Sequence, residues 1–300
     1  MGCCAERGVL LNLVLFIFGA MSGSFVVASV WRLRAEQLLA EADVTDPDYE
    51  KIVIGNGLAK KSATDDYSCC LHCGYRLKWF DLIPIFSWLF LGGKCRKCRQ
   101  PIGLTEILTE FFLGIIFTVS YVFWPSKLGL VNLGQIALFA VWLMILILLA
   151  VLFIYDLRWL ELPTSVLYAV IFFGLVFLTI KTIVVDGGQV DWLNIVSSIF
   201  ILGGIYWLLS FFTKEKAVGS GDAFIGLVMA LVLANWRSAI LALFLANLFG
   251  ALVALPGLIM RKTNFASRLP LGPFLIIAFL VVFWWSEAIL KLLFNSMFMI

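Results

Sequence analysis

Apolar stretches follow one another along almost the whole chain, separated by short polar turns. We read candidate spans at 9–31, 102–124, 133–155, 162–184, 192–212, 222–235, 238–260 and 271–294. A helix needs roughly 20 predominantly apolar residues to cross the hydrocarbon core of a bilayer. The pattern therefore predicts an all-α polytopic membrane protein with about eight transmembrane helices. The first run has no small-residue cleavage site and continues directly into Arg32 and Arg34. It reads as a retained helix and not as a removed signal. One polar interval of domain-like length, Arg32 to Pro101, breaks the series. It divides the chain into a first transmembrane helix (1–31), a loop (32–101) and a seven-helix membrane domain (102–300).

Composition agrees with this reading. The chain is 62% hydrophobic and 14% charged, whereas soluble domains are about half apolar and about a quarter charged. With the spans above, segments 32–101, 156–161, 213–221 and 261–270 share one face and hold 17 of the 22 Lys and Arg residues. The other face keeps only Arg7, Lys127, Lys181, Arg237 and Lys291. Basic loops stay on the cytoplasmic side, so this asymmetry predicts a multi-pass membrane protein with both termini outside. The net charge of +3, the single histidine (His72) and the lack of a phosphate-binding glycine loop leave nothing that points to nucleic acid.

The loop has two parts. Residues 35–66 are acidic and mixed, without a clear period, and read as a partly ordered linker. Further on, Cys70 and Cys73 are answered by Cys95 and Cys98 in a C-x2-C-x21-C-x2-C spacing. Each C-x-x-C turn presents two thiolates to one ion, and two turns complete a tetrahedral site. The reducing cytoplasm disfavours disulfides, so a structural zinc is expected, with Cys69 as a spare ligand able to replace Cys70. Basic Lys94, Arg96, Lys97 and Arg99 offset the thiolate charge. His72 reads as a bystander, and nothing assigns a role to Cys3 or Cys4. The run Trp79 to Leu89 is too apolar for a free loop, so it packs on the knuckle or lies in the membrane interface. Asp81 within it reads as a turn former.

Two carboxylates are the most telling polar groups. Asp156 ends the third span and Asp222 opens the sixth, after Gly219-Ser220-Gly221. A charged side chain in a spanning helix costs roughly 2.5–3.5 kcal/mol at mid-membrane and less near the ends, so it is seldom idle. Two carboxyl groups near contact cannot both ionise: one keeps a proton while the other activates water. The glycines before Asp222 would allow close backbone approach and positive φ. Asp222 can cap the following helix, and Pro163 suits the first turn of the helix after Asp156. The plainer alternative is a pair of solvated turn residues, and the residues alone leave both open. Glu110, Glu161 and Glu287 are weaker candidates; Glu110 lies inside a span and needs a partner.

In order along the chain, Gly23-Ser24-Phe25 with Arg32-Leu33, the Cys70–Cys98 loop, Asp156 with Leu162-Pro163, Gly219-Ser220-Gly221-Asp222 and Leu271-Gly272-Pro273-Phe274-Leu275 resemble the motifs of the bacterial type IV prepilin leader peptidase family. The resemblance implies a membrane enzyme of the bacterial cytoplasmic membrane. Asp156 and Asp222 would be its catalytic dyad, cutting the short basic leaders of type IV prepilins or type II secretion pseudopilins after a glycine at the cytoplasmic face. It also implies N-methylation of the new amino terminus from S-adenosylmethionine; no residue is assigned to bind that cofactor. The chain departs from the family at Val27, Arg34, Thr105 to Ile107, Thr164 and Phe224. Several departures fall near the first loop, so cleavage is carried further than methyl transfer. An intramembrane aspartic protease with other substrates and a non-catalytic membrane assembly factor are the alternatives.

Overall fold

The computed structural model describes residues 2–41, 49, 68–70, 72–124, 132–215, 218–259 and 270–297, with side chains outside 2–7, 256–259 and 293–297. Most of the linker expected at 35–66 lies outside these residues. Regular structure among the described residues is helical, and the β contribution is two isolated bridges in the cysteine region. Among the described residues, seven helices are long and apolar enough to cross a membrane, and Ser220–Leu233 is a shorter apolar helix. The all-α polytopic architecture is therefore borne out, with one of the expected spans short.

The helices are α1 (Gly2–Glu41), α2 (Phe86–Phe90), α3 (Leu104–Val122), α4 (Leu133–Trp159), α5 (Thr164–Val184), α6 (Trp192–Ile199), α7 (Ile205–Thr213), α8 (Ser220–Leu233), α9 (Trp236–Ile259) and α10 (Gly272–Met297). A 3-10 turn at Trp79–Leu82 precedes α2, and a π turn at Phe200–Gly204 joins α6 to α7 into one span. The chain forms two compact units, Met1–Phe123 and Trp124–Ile300.

In the first unit, α1 runs past Trp31 and reaches Glu41, so residues 35–41 are helix and not linker. Gly19 and Gly23 let α1 lie directly on α3. A Cβ at Gly19 would sit 2.6 Å from the Leu113 carbonyl oxygen, and one at Gly23 would sit 2.6 Å from the Glu110 Cα. Lipid tails give apolar helices no hydrophobic reason to associate, so close backbone approach at small residues supplies the packing.

In the second unit, Trp142 of α4 is fully buried and stacks on Phe283 of α10, centroids 3.8 Å apart. Phe177 of α5 and Phe279 of α10 close around the same ring. Helix α8 is the most enclosed element: from Ile225 to Leu233 only Leu227 is less than fully buried. Gly226 permits this, because a Cβ there would run into the Leu202 carbonyl oxygen of the π turn.

Candidate active site and metal centre

Asp156 occupies the last turn of α4, which ends when Leu160 adopts a left-handed conformation (φ 55°). Asp222 sits at the start of α8. Both are buried, at 6% and 7% exposure. The Asp222 carboxylate interacts electrostatically with that of Asp156. Packing explains the proximity. Gly221 lies against Leu162, which follows Asp156 in the chain, with a Cβ there only 2.6 Å from Leu162 Cδ1. The N-terminus of α10 closes the same end of the bundle. The Gly272 N–H donates to Asp156 Oδ2 at 3.1 Å, and a Cβ on Gly272 would sit 2.7 Å from that oxygen. Three helix ends from distant parts of the sequence thus meet around two carboxylates.

Details differ from the sequence reading. Asp222 is not the residue that precedes α8 as its cap. It lies within the first turn, where its Oδ2 accepts the N–H of Gly219 at 3.2 Å. Gly219 has φ −71°, and neither it nor Gly221 takes a positive φ. Close approach, not backbone handedness, is what the glycines supply. Pro163 stands one position ahead of α5 instead of inside its first turn.

Two residues near the aspartates escaped the sequence reading. Gly272 lay in a motif without an assigned task; its backbone N–H is what reaches Asp156. Tyr206, 1% exposed, accepts a hydrogen bond from Asn247 Nδ2 at 3.2 Å and feels the Asp222 charge. A buried tyrosine with a committed hydroxyl carries no signature in a hydrophobic run. Of the weaker acids, Glu287 forms an exposed pair with Lys291 at 3.9 Å. Such a pair stabilises by at most about 1 kcal/mol.

Glu110 finds its partner in the first unit. It is buried on α3, and its Oε2 accepts the Ile85 N–H at 2.7 Å. The Ser24 hydroxyl also bonds to it. The glutamate therefore ties the first-helix signature to the loop.

The cysteines form two matching knuckles. The Cys70 carbonyl accepts the Gly74 N–H at 2.9 Å, and the Cys70 N–H donates to Tyr75 at 3.0 Å. In the second knuckle Cys95 accepts from Arg99 at 3.0 Å and donates to Gln100 at 2.8 Å. Gly74 and Arg99 each turn the chain with φ near 60° (65° and 60°). The four sulfurs of Cys70, Cys73, Cys95 and Cys98 lie within 4.8 Å of one another. Cys70 to Cys98 is 3.9 Å and Cys73 to Cys95 is 4.0 Å. A tetrahedron with Zn–S bonds of about 2.3 Å has edges of about 3.8 Å, so the donor set fits a zinc-sized ion. Burial pushes the Cys70 thiol up to about 12. At Cys95 burial opposes ionisation too, but the backbone N–H groups of Cys98 and Lys97 outweigh it and bring the thiol down to about 7. Cys69 stands outside the cluster in a β-bridge with Arg76. His72 contributes only its backbone N–H, to the Cys70 sulfur at 3.5 Å. Arg96 pairs with Asp81 at 2.8 Å and lies over the Phe80 ring at 4.9 Å. The apolar run thus does pack on the knuckle, and Asp81 is its anchor.

Residues 143–255 match the Type IV leader peptidase family, and residues 17–124 match the Bacterial Peptidase A24 N-terminal domain. The chain belongs to the type IV leader peptidase family. A protein of Aeromonas hydrophila, named prepilin leader peptidase/N-methyltransferase, is 26% identical over 93% of this chain and 92% of its own. One of Dichelobacter nodosus with the same name is 30% identical over 70% of this chain and 68% of its own. One of Pectobacterium carotovorum, again so named, is 28% identical over 87% and 88%. No solved structure matches this chain.

Proposed function

We propose that this protein is a prepilin leader peptidase and N-methyltransferase, with Asp156 and Asp222 as its aspartic dyad. The single observation that carries the dyad is the convergence of α4, α8 and α10 on two buried carboxylates, one of them held by the Gly272 N–H. Membership of the family and the names of the relatives support the activity. Two such carboxyl groups share a proton, so one remains a base able to activate water while the other protonates the leaving nitrogen. The Gly272 N–H holds Asp156 Oδ2 in place. Asp222 accepts an N–H from its own Gly219.

The substrates are prepilins or pseudopilins, whose basic leaders suit the basic face of the membrane. The positive-inside asymmetry supports a cytoplasmic active site in the bacterial inner membrane, with both termini outside. Zinc is the ion proposed for Cys70, Cys73, Cys95 and Cys98. With four protein ligands and no open position, it supplies folding energy to the loop and no chemistry to cleavage. Methyl transfer from S-adenosylmethionine requires a neutral α-amine, whose unperturbed pKa of roughly 7.7–8.0 makes that form accessible near neutrality. A synthetic prepilin-like peptide with a basic leader, incubated with the purified protein and S-adenosylmethionine, tests both activities by mass spectrometry. Cleavage after the glycine with a methylated new terminus is expected. An intact peptide would refute the peptidase reading, and a cleaved but unmethylated one would leave a peptidase alone.

A further inference from the structure

The segment between the two knuckles has two faces. Toward the protein, Trp88 covers Gly93, where a Cβ would sit 2.7 Å from the indole, and Phe80 lies under Arg96. Away from it, Trp79 (77%), Phe86 (61%), Leu89 (58%) and Phe90 (87%) are exposed. Phe86, Leu89 and Phe90 share one face of α2, and four exposed large apolar side chains in so short a segment cost solubility unless something apolar covers them.

The tether to Glu110 fixes how deep this segment lies. Helix α3 has 19 residues, which is about 28 Å and close to the roughly 30 Å hydrocarbon thickness, so its two ends sit at the two boundaries. Glu110 is six residues into α3, about 9 Å below its start at 1.5 Å per residue. Helix side chains lean toward the N-terminus, so the 2.7 Å bond from the Ile85 N–H to Glu110 Oε2 holds the beginning of α2 within that depth. Interfacial amphipathic segments bury their apolar face to about 5–10 Å. Ile85 takes the unusual φ of 64° as the chain turns into α2 at this point. The second knuckle stays higher, because Gly93 accepts the Ile102 N–H at 2.7 Å just before α3 begins. Around it Lys78, Lys94, Lys97 and Arg99 are exposed, at the height where anionic headgroups lie.

We propose that Trp79, Phe86, Leu89 and Phe90 form a lipid-facing wedge that seats the cysteine knuckle on the bilayer. The apolar side chains enter the acyl boundary, and the four basic residues meet anionic headgroups. This surface rests on the spanning character of α3 and is independent of the enzymatic reading. The test uses the full-length protein in vesicles of phosphatidylethanolamine and phosphatidylglycerol, with a photoreactive benzophenone side chain at Phe90 and, separately, at Gln100 on the exposed knuckle. Phospholipid adducts several-fold more abundant at Phe90 than at Gln100 are expected. Adducts at Phe90 to protein, whether a second copy or a bound partner, or lipid adducts no more abundant than at Gln100, would overturn the proposal. Trp79 offers a second probe position with the same expected outcome if the Phe90 variant fails to fold.

Discussion

Gly272 has no side chain, yet the position of Asp156 depends on it twice: its N–H binds the carboxylate, and its missing Cβ leaves the carboxylate room. Gly272→Ala should push Oδ2 away from its place, since the added carbon would sit 2.7 Å from it. A misplacement of about 1 Å costs on the order of 10²-fold in rate. We expect that loss in cleavage, with helix content and membrane insertion unchanged by circular dichroism and fractionation. Gly74→Ala tests the metal centre in a similar way. Nothing crowds its Cβ, so the cost is the left-handed backbone alone, at φ 65°. That is about 1–2 kcal/mol, or a factor of about 5–30, read as weaker zinc retention against a competing chelator. The two aspartates and the four cysteines stood out in the sequence as candidates, since charge in an apolar run and paired thiols are uncommon, and the motif resemblance was what singled out the aspartates as a pair. The Gly272 N–H did not, since every residue but proline has a backbone donor and only the fold aims this one. Tyr206 was hidden for a related reason: among 27 Phe, 11 Trp and 7 Tyr, one more aromatic in a span carries no signal.

At the scale of elements, α8 is the exception. Its 14 residues cover about 21 Å, some 9 Å less than the hydrocarbon core. Its start is level with that of α5, as the Tyr168–Phe224 contact and the packing of Gly221 on Leu162 require. Its other end therefore stops short. There the Lys181 ammonium reaches from the last turn of α5 to the Leu233 carbonyl at 3.4 Å, a cation on a helix C-terminus. Lys181→Met should lower thermal stability by about 1 kcal/mol, within the range for such a charge, while leaving the cleavage mechanism intact. A melting temperature equal to the parent's would remove this role. The sequence placed α8 at 222–235, close to its observed bounds, but could not reveal that Asp222 falls inside the first turn. Helix starts are set by which residue gives up its N–H bond, and Gly219 provides no side-chain cap to mark it. The length of α1 was also out of reach, because Arg32 and Arg34 read as the end of a span when they lie within a longer helix.

At the scale of the whole molecule, the cysteine cluster belongs to one compact unit and the buried carboxylate pair to the other. Metal analysis should find one zinc per chain, lost on Cys73→Ser or Cys95→Ser; unchanged metal in both would refute the ligand set. We expect those variants to lose methylation before cleavage, because the loop is the one polar interval of domain-like length in the sequence. Hydropathy made the spanning architecture legible, since a bilayer dictates run length. It was silent on which helix ends meet, which is where the site lies. The most direct test of the central claim is cleavage of a purified prepilin by Asp156→Asn and by Asp222→Asn in reconstituted bilayers. Each substitution keeps the shape and removes ionisation, so both proteins should insert normally and leave the leader intact. A mature product formed at the parent's rate by either variant would contradict the account.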